Sequence, residues 1–132
     1  MTDKILLVDD DLNLLAAMQR NLRRRFQLDT ASGGAAALEL MTHHGPYAVV
    51  VADLGMPGMN GAQFLTLCQE RFPDTVRIMF TGDAEQEEAV EAIDRAQLFR
   101  TLSKPCPAET LIGSLEAALA QHRLIVAQRE QM

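Results

Sequence analysis

Cysteine is scarce in this chain: two residues in 132, Cys68 in a helix-like stretch and Cys106 in a loop-like one. They offer neither the close pairs of a zinc site nor the disulfide framework of a small secreted fold, which points to a reducing cytoplasm. An excess of positive charge is missing too. A formal net charge of -6 argues against general nucleic-acid binding through the domain's own surface; a basic ligand or partner face fits better. No uninterrupted apolar run approaches the roughly 20 residues that span a bilayer, and Met1 to Lys4 lead straight into an apolar stretch without an export signal. The expectation is a cytoplasmic protein with no membrane anchor. Histidines with metal-ligand spacing are absent as well: His43 and His44 sit at a helix end, where partial positive charge is favoured, and His122 stands alone.

What is present is a regular alternation. Apolar runs occur at Ile5–Val8, Gln27–Ala31, Ala48–Ala52, Val76–Phe80 and Leu98–Leu102. Helix-like stretches separate them. Leu12, Leu15, Ala16, Met18 and Leu22 recur at helical spacing behind Asp11, a good N-cap, and stop at the basic run Arg23–Arg25. Further helices are expected at 34–43, stopped by Gly45-Pro46, at 62–71 before Pro73, at 85–95, and from Pro107 onward. The second run alternates like an edge strand, whereas the third and fourth are almost wholly apolar, as parallel strands covered on both faces must be. With no repeat, low-complexity tract or interdomain linker between them, five strand–helix units imply an α/β protein: a doubly wound five-stranded parallel sheet, helices on both faces, joined by right-handed crossovers.

Ligands of such sheets bind beyond the carboxyl ends of the strands, so the residues after each apolar run are the ones to read. The first run ends in Asp9-Asp10-Asp11, the third in Asp53, the fourth in Thr81-Gly82 and the fifth in Ser103-Lys104-Pro105. Asp11 is assigned to the helix cap. The other carboxylates would repel one another without a cation, and clustered hard oxygens at a polar sheet edge suit Mg2+. Asp10 and Asp53 are the expected direct ligands, with the Gly55 carbonyl and a water held by Asp9. A cation, the Lys104 ammonium, the Thr81 hydroxyl and the backbone amides at Thr81-Gly82 together make a pocket for a dianionic tetrahedral group beside a carboxylate. That is a phosphoryl site with Asp53 as nucleophile.

Leu6-Leu7-Val8-Asp9-Asp10, Asp53-Leu54-Gly55-Met56-Pro57-Gly58-Met59-Asn60-Gly61, Phe80-Thr81-Gly82 and Ser103-Lys104-Pro105 resemble the motifs of receiver domains in bacterial two-component response regulators, in the same order. The resemblance covers about residues 3 to 122. It implies a flavodoxin-like strand order 2-1-3-4-5 and phosphotransfer to Asp53 from a sensor histidine kinase or phosphotransfer protein. It implies backbone contacts to the phosphoryl group from Leu54, Gly55 and Gly82, and a switch running through the fourth strand, the following helix and the fifth strand. On this reading the chain is a signalling phosphoacceptor that catalyses only its own phosphorylation and dephosphorylation. Where many receivers carry a switch aromatic, three residues before Lys104, this sequence has Thr101; Phe99 lies two residues earlier and, by strand alternation, on the same face. Thr81, Phe99 and Thr101 are the expected switch residues. Gly55 and Asp83 flank the site and should govern access of water.

Two other functions compete. A haloacid-dehalogenase-type phosphatase would use Asp9 and Asp11 as its Asp-x-Asp loop with Thr81 and Lys104, but it leaves the Asp53 loop without a role. A degenerate receiver that only docks is the second alternative; all five site positions are filled, which favours an active one. The helix between the fourth and fifth strands is rich in Glu85, Glu87, Glu88 and Glu91 and reads as a solvated switch surface. Arg23–Arg25 read as a solvated helix end. The last helix has Ile112, Leu115, Leu119 and Val126 on one stripe, with Leu124, Ile125 and Val126 beyond what the sheet can cover. Residues 1–122 are therefore read as the receiver and 123–132 as a projecting end that pairs with a second copy or leads into an output domain. Its run-on from Lys104-Pro105-Cys106-Pro107 resembles receivers joined to catalytic output domains such as cyclic-di-nucleotide hydrolases.

Overall fold

In the computed structural model, residues 2–82 and 94–131 are described. The elements are β1 (Lys4–Val8), α1 (Leu12–Leu22), β2 (Gln27–Ala31), α2 (Gly34–His44), β3 (Val49–Asp53), α3 (Gly61–Arg71), β4 (Val76–Thr81), β5 (Arg100–Ser103) and α4 (Ala108–Glu130). All strand pairs are parallel, in the order β2-β1-β3-β4-β5. The central strands β3 and β4 are buried at every residue, while edge strand β2 is mostly half-buried and edge strand β5 mostly exposed. The continuous apolar runs and the alternating run at 27–31 therefore meant what their patterns implied.

Period-two alternation sorts the sheet's side chains into two cores. Leu6, Val8, Val50, Ala52 and Met79 face Ala37 and Met41 of α2 and Phe64, Leu65 and Cys68 of α3. Ile5, Leu7, Val49, Val51, Ile78, Phe80 and Leu102 face Leu15, Met18 and Leu22 of α1 and Leu111, Leu115 and Leu119 of α4. Two helices start on side-chain caps. Asp11 caps α1 by accepting the Asn13 and Leu14 N–H groups, and Asn60 and Gln63 form a reciprocal capping box at α3.

Several expectations are corrected. β3 begins and ends one residue later than the apolar run, so Asp53 is its last ladder residue, paired with Phe80; Thr81 likewise belongs to β4. The fifth strand starts at Arg100 rather than Leu98. Phe99 thus precedes the regular alternation and packs on the second core with Leu102, whereas Thr101, adjacent to Leu102 in the strand, lies on the opposite face. The two do not share a face. Of the expected α4 stripe, Leu115 and Leu119 are buried, Ile112 packs partly buried on the second core and Val126 falls outside; the buried stripe is Leu111, Ser114, Leu115, Ala118, Leu119 and His122. It continues to Ile125, which packs on the second core; of the three aliphatic residues expected to be uncovered, Leu124 is the exposed one, at 58%. The helix expected at 85–95 lies outside the described residues except for its helical end at 94–96, as does Asp83. Among the described residues, no helix is long and apolar enough to cross a membrane.

Candidate functional site

β1, β3, β4 and β5 deliver their last residues to one edge of the sheet, and the register fixes them there: Asp53 stands opposite Phe80, and Thr81 opposite Ser103. Asp9 follows β1 and is 1% exposed, Asp53 and Thr81 are buried, and Asp10 is exposed. Ligand oxygens of Asp9, Asp10 and Asp53 all lie within 4.8 Å of one another. Lys104 reaches in from the loop after β5. Its Nζ donates to Asp9 Oδ2 at 2.7 Å and sits 3.1 Å from Asp53 Oδ1. Burial would lower the Lys104 pKa, but its bonds to Asp9 and Asp53 outweigh that and hold it above the ordinary lysine value. The ammonium stays charged. Asp9 is fixed from its other oxygen as well, since Oδ1 accepts the Asp11 N–H at 2.9 Å.

The loop after Asp53 is built to hold that carboxylate still. Leu54 and Met56 are buried in the first core and pin the loop from below. Gly58 turns it with φ at 73°, a conformation glycine adopts without strain. Gly61 closes it: a Cβ there would stand 2.4 Å from the Asp53 carbonyl oxygen and 2.7 Å from the Leu54 Cα, so only glycine lets α3 start against the end of β3. The sequence marked this segment by its motif, but the anchoring role of Met56 is legible only from burial.

The structure brings together Asp9, Asp10, Asp53 and Lys104, and sets Thr81, Gly82 and Gly55 at the ends of the strands and loop that carry them. One expected member has its amide engaged elsewhere, and Asp11 keeps the cap role expected of it. The Leu54 N–H donates to the Phe80 carbonyl at 2.9 Å, extending the β3–β4 ladder. Asp11 is committed to the α1 cap, so the Asp-x-Asp pair of the phosphatase alternative is not formed toward the site.

Residues 5–116 match the family model for the response regulator receiver domain. The chain belongs to that family. Among its relatives are the hydrogenase transcriptional regulatory protein HoxA of Cupriavidus necator, 31% identical over 90% of this chain and 25% of its own length. The C4-dicarboxylate transport transcriptional regulatory protein DctD of Rhizobium meliloti is 34% identical over 95% of this chain and 27% of its own length. The chain spans about a quarter of the length of these curated relatives. Among solved structures, one described as adenylate cyclase from Rhodopirellula baltica matches with a TM-score of 0.95 and 34% identity, covering 99% of this chain and 97% of that one. The signal receiver domain of an HD domain-containing protein from Pseudomonas fluorescens matches with a TM-score of 0.87 and 29% identity, covering 93% and 98%. The receiver is thus a signalling domain of two-component response regulators, with the flavodoxin-like strand order that the resemblance implied.

Proposed function

We propose that this receiver accepts a phosphoryl group on Asp53, in a Mg2+-dependent reaction, from the phosphohistidine of a sensor histidine kinase or phosphotransfer protein. The observation that carries the reading is the Lys104 ammonium held between Asp9 and Asp53, beside Asp10 and at the end of the strand that bears Thr81. In the transfer, a carboxylate oxygen of Asp53 forms a bond to phosphorus as the bond from phosphorus to the donor imidazole breaks, and the imidazole leaves with the electron pair. Lys104 offsets negative charge on the transferring oxygens, and the Thr81 hydroxyl and the Gly55 and Gly82 amides are the remaining donors.

The donor set fits a hard divalent cation, because oxygens of three carboxylates lie within 4.8 Å of one another, close enough to share one ion, at a polar sheet edge. Asp10, Asp53 and the Gly55 carbonyl would hold Mg2+, with Asp9 acting through a water. Bound there, the metal supplies charge neutralisation and orientation for the phosphoryl oxygens. A phosphodonor docking face is supported next to Lys104, where Leu14, Met18, Pro105, Cys106 and Leu111 line an apolar cleft and Leu12 of the same helix is 66% exposed. A protein that delivers a phosphoryl group to Asp53 has to cover this patch.

Thr81, Phe99 and Thr101 remain the proposed switch residues, with Thr101 in β5 and Phe99 just before it, packed on the second core. Residues 1–122 form the receiver, and the end of α4 from residue 123 leads to an output domain or pairs with a second copy. Its uncovered Leu124 and the longer relatives, which are transcriptional regulators, support that reading. The test is Mg2+ titration followed by beryllofluoride, an acyl-phosphate mimic, monitored by backbone NMR. Metal-dependent shifts at Asp53, Thr81-Gly82 and Lys104 are expected. A chain that binds neither metal nor mimic would be a docking-only receiver.

A further inference from the structure

The end of the sheet opposite Asp53 contains a buried cation that the phosphoacceptor reading does not use. Arg77, the second residue of β4, is 7% exposed. Burying a guanidinium is costly unless its donors are satisfied. Among the described residues no carboxylate pairs with it; carbonyls do the work instead. Its Nε donates to Ala96 O at 2.7 Å and its Nη2 to Gln97 O at 3.3 Å, while Nη1 donates to Thr75 O at 2.5 Å and Pro73 O at 3.3 Å. The Arg77 main chain joins in, accepting the Phe99 N–H at 2.8 Å. One residue therefore fastens the stretch 96–99, which leads into β5, to the turn Pro73–Thr75 between α3 and β4.

The same turn holds the far end of α4. The buried His122 ring meets Asp74 O through Nδ1 at 2.8 Å, and Arg129, seven residues on, pairs with the Asp74 carboxylate. Thr75 is fixed in addition by its hydroxyl on Tyr47 O at 2.7 Å. With the carbonyls of Pro73 and Thr75 both drawn to Arg77, the direction of the intervening Asp74 carbonyl is set, and that carbonyl is the one His122 reads. Phe99 and Ile125 complete the connection by packing on the same core.

We propose that the Pro73–Thr75 turn is a joint through which residues 96–99 and the end of α4 are coupled, so that displacing either one loosens or reorients the other. The joint supplies a link from β5 to the helix that leaves the domain, in a chain whose position 101 is an exposed threonine. It is a property of the chain before any phosphorylation and stands apart from the reading of Asp53. Coupling of this kind is reciprocal, which makes it testable from both ends.

The experiment is amide hydrogen exchange by mass spectrometry on the full chain. Arg77→Met removes the guanidinium but keeps an apolar filling, and Arg77 forms no hydrogen bond to α4. Exchange over residues 122–130 is expected to rise by about tenfold, the factor that follows from losing one charge-assisted bond's worth of local stability, with residues 111–119 changing less. From the other end, His122→Phe should raise exchange at residues 96–99. If each variant loosens only the segment it touches, the joint does not exist. Should Arg77→Met fail to fold or loosen every element equally, His122→Phe decides: faster exchange at 96–99 upholds the coupling and parental exchange there overturns it.

Discussion

Replacing Asp10 by Asn should stabilise the metal-free protein, and replacing its neighbour Asp9 in the same way should destabilise it. The two residues are adjacent in sequence and differ in what holds them. Among the described residues, no hydrogen bond or ion pair engages the Asp10 carboxylate, which is exposed yet lies within 4.8 Å of oxygens of Asp9 and Asp53. At that separation each repulsion costs about 0.9 kcal/mol in water-like dielectric, and the attraction of Lys104 offsets roughly one of the two. Screening at the exposed site reduces the remainder, so Asp10→Asn should gain up to about 1 kcal/mol, or a rise of about 3–5 °C in Tm for a domain of this size. Asp9 is buried and accepts from both Lys104 and the Asp11 N–H. Its loss leaves the ammonium half-paired and should cost about 1–2 kcal/mol. Repulsion alone would make replacement of any of these carboxylates stabilising; Lys104 between Asp9 and Asp53 changes the sign for Asp9. Thermal melts in chelator decide the matter, and repeating them with Mg2+ should stabilise the parent more than Asp10→Asn. Shifts of the same sign for both variants would refute the reasoning.

Gly61→Ala forces the backbone of α3 away from Asp53 and should lower stability by about 1–3 kcal/mol in urea melts, with slower phosphoryl uptake. Tyr47→Phe deletes the 2.6 Å bond to Asp29 of a phenol whose pKa burial, with Asp29, holds above its usual value; a loss of about 1–2 kcal/mol is expected in the same assay. His122 is a pH-dependent element. Burial lowers its pKa below the ordinary 6.5, a trend Asp3 opposes and Arg123 reinforces. The unfolded chain then takes up a proton that the folded one resists, so stability should fall as pH drops from about 6.5 toward about 5. His122→Asn, compared with the parent by denaturation across that range, should flatten the fall; an unchanged slope would remove His122 as its source.

The β-strands, the cap at Asp11, and the convergence of Asp9, Asp10, Asp53 and Lys104 were legible because each depends on local pattern plus one topology. What escaped depends on register and on unlike partners. Whether the Leu54 N–H faces a ligand or extends a ladder is set by the alignment of β3 with β4, which the sequence does not print. Phe99 was placed on the face of Thr101 by extending regular alternation back to it, whereas β5 begins at Arg100 and Phe99 lies before the ladder, where period two no longer holds. Arg77 carried no signal in the sequence, since its partners are carbonyls and no acid announces them. The stripe on α4 was displaced by following Ile112 and Val126, where burial follows Leu111, Ala118 and His122.

The most direct test of the central claim is to incubate the chain with acetyl phosphate and Mg2+ and measure its intact mass, then locate the modified residue by borohydride reduction and peptide mapping. A gain of one phosphoryl group at Asp53, lost in chelator and in Asp53→Asn, is the expected result. Full phosphorylation of Asp53→Asn, or modification at another residue, would contradict the assignment.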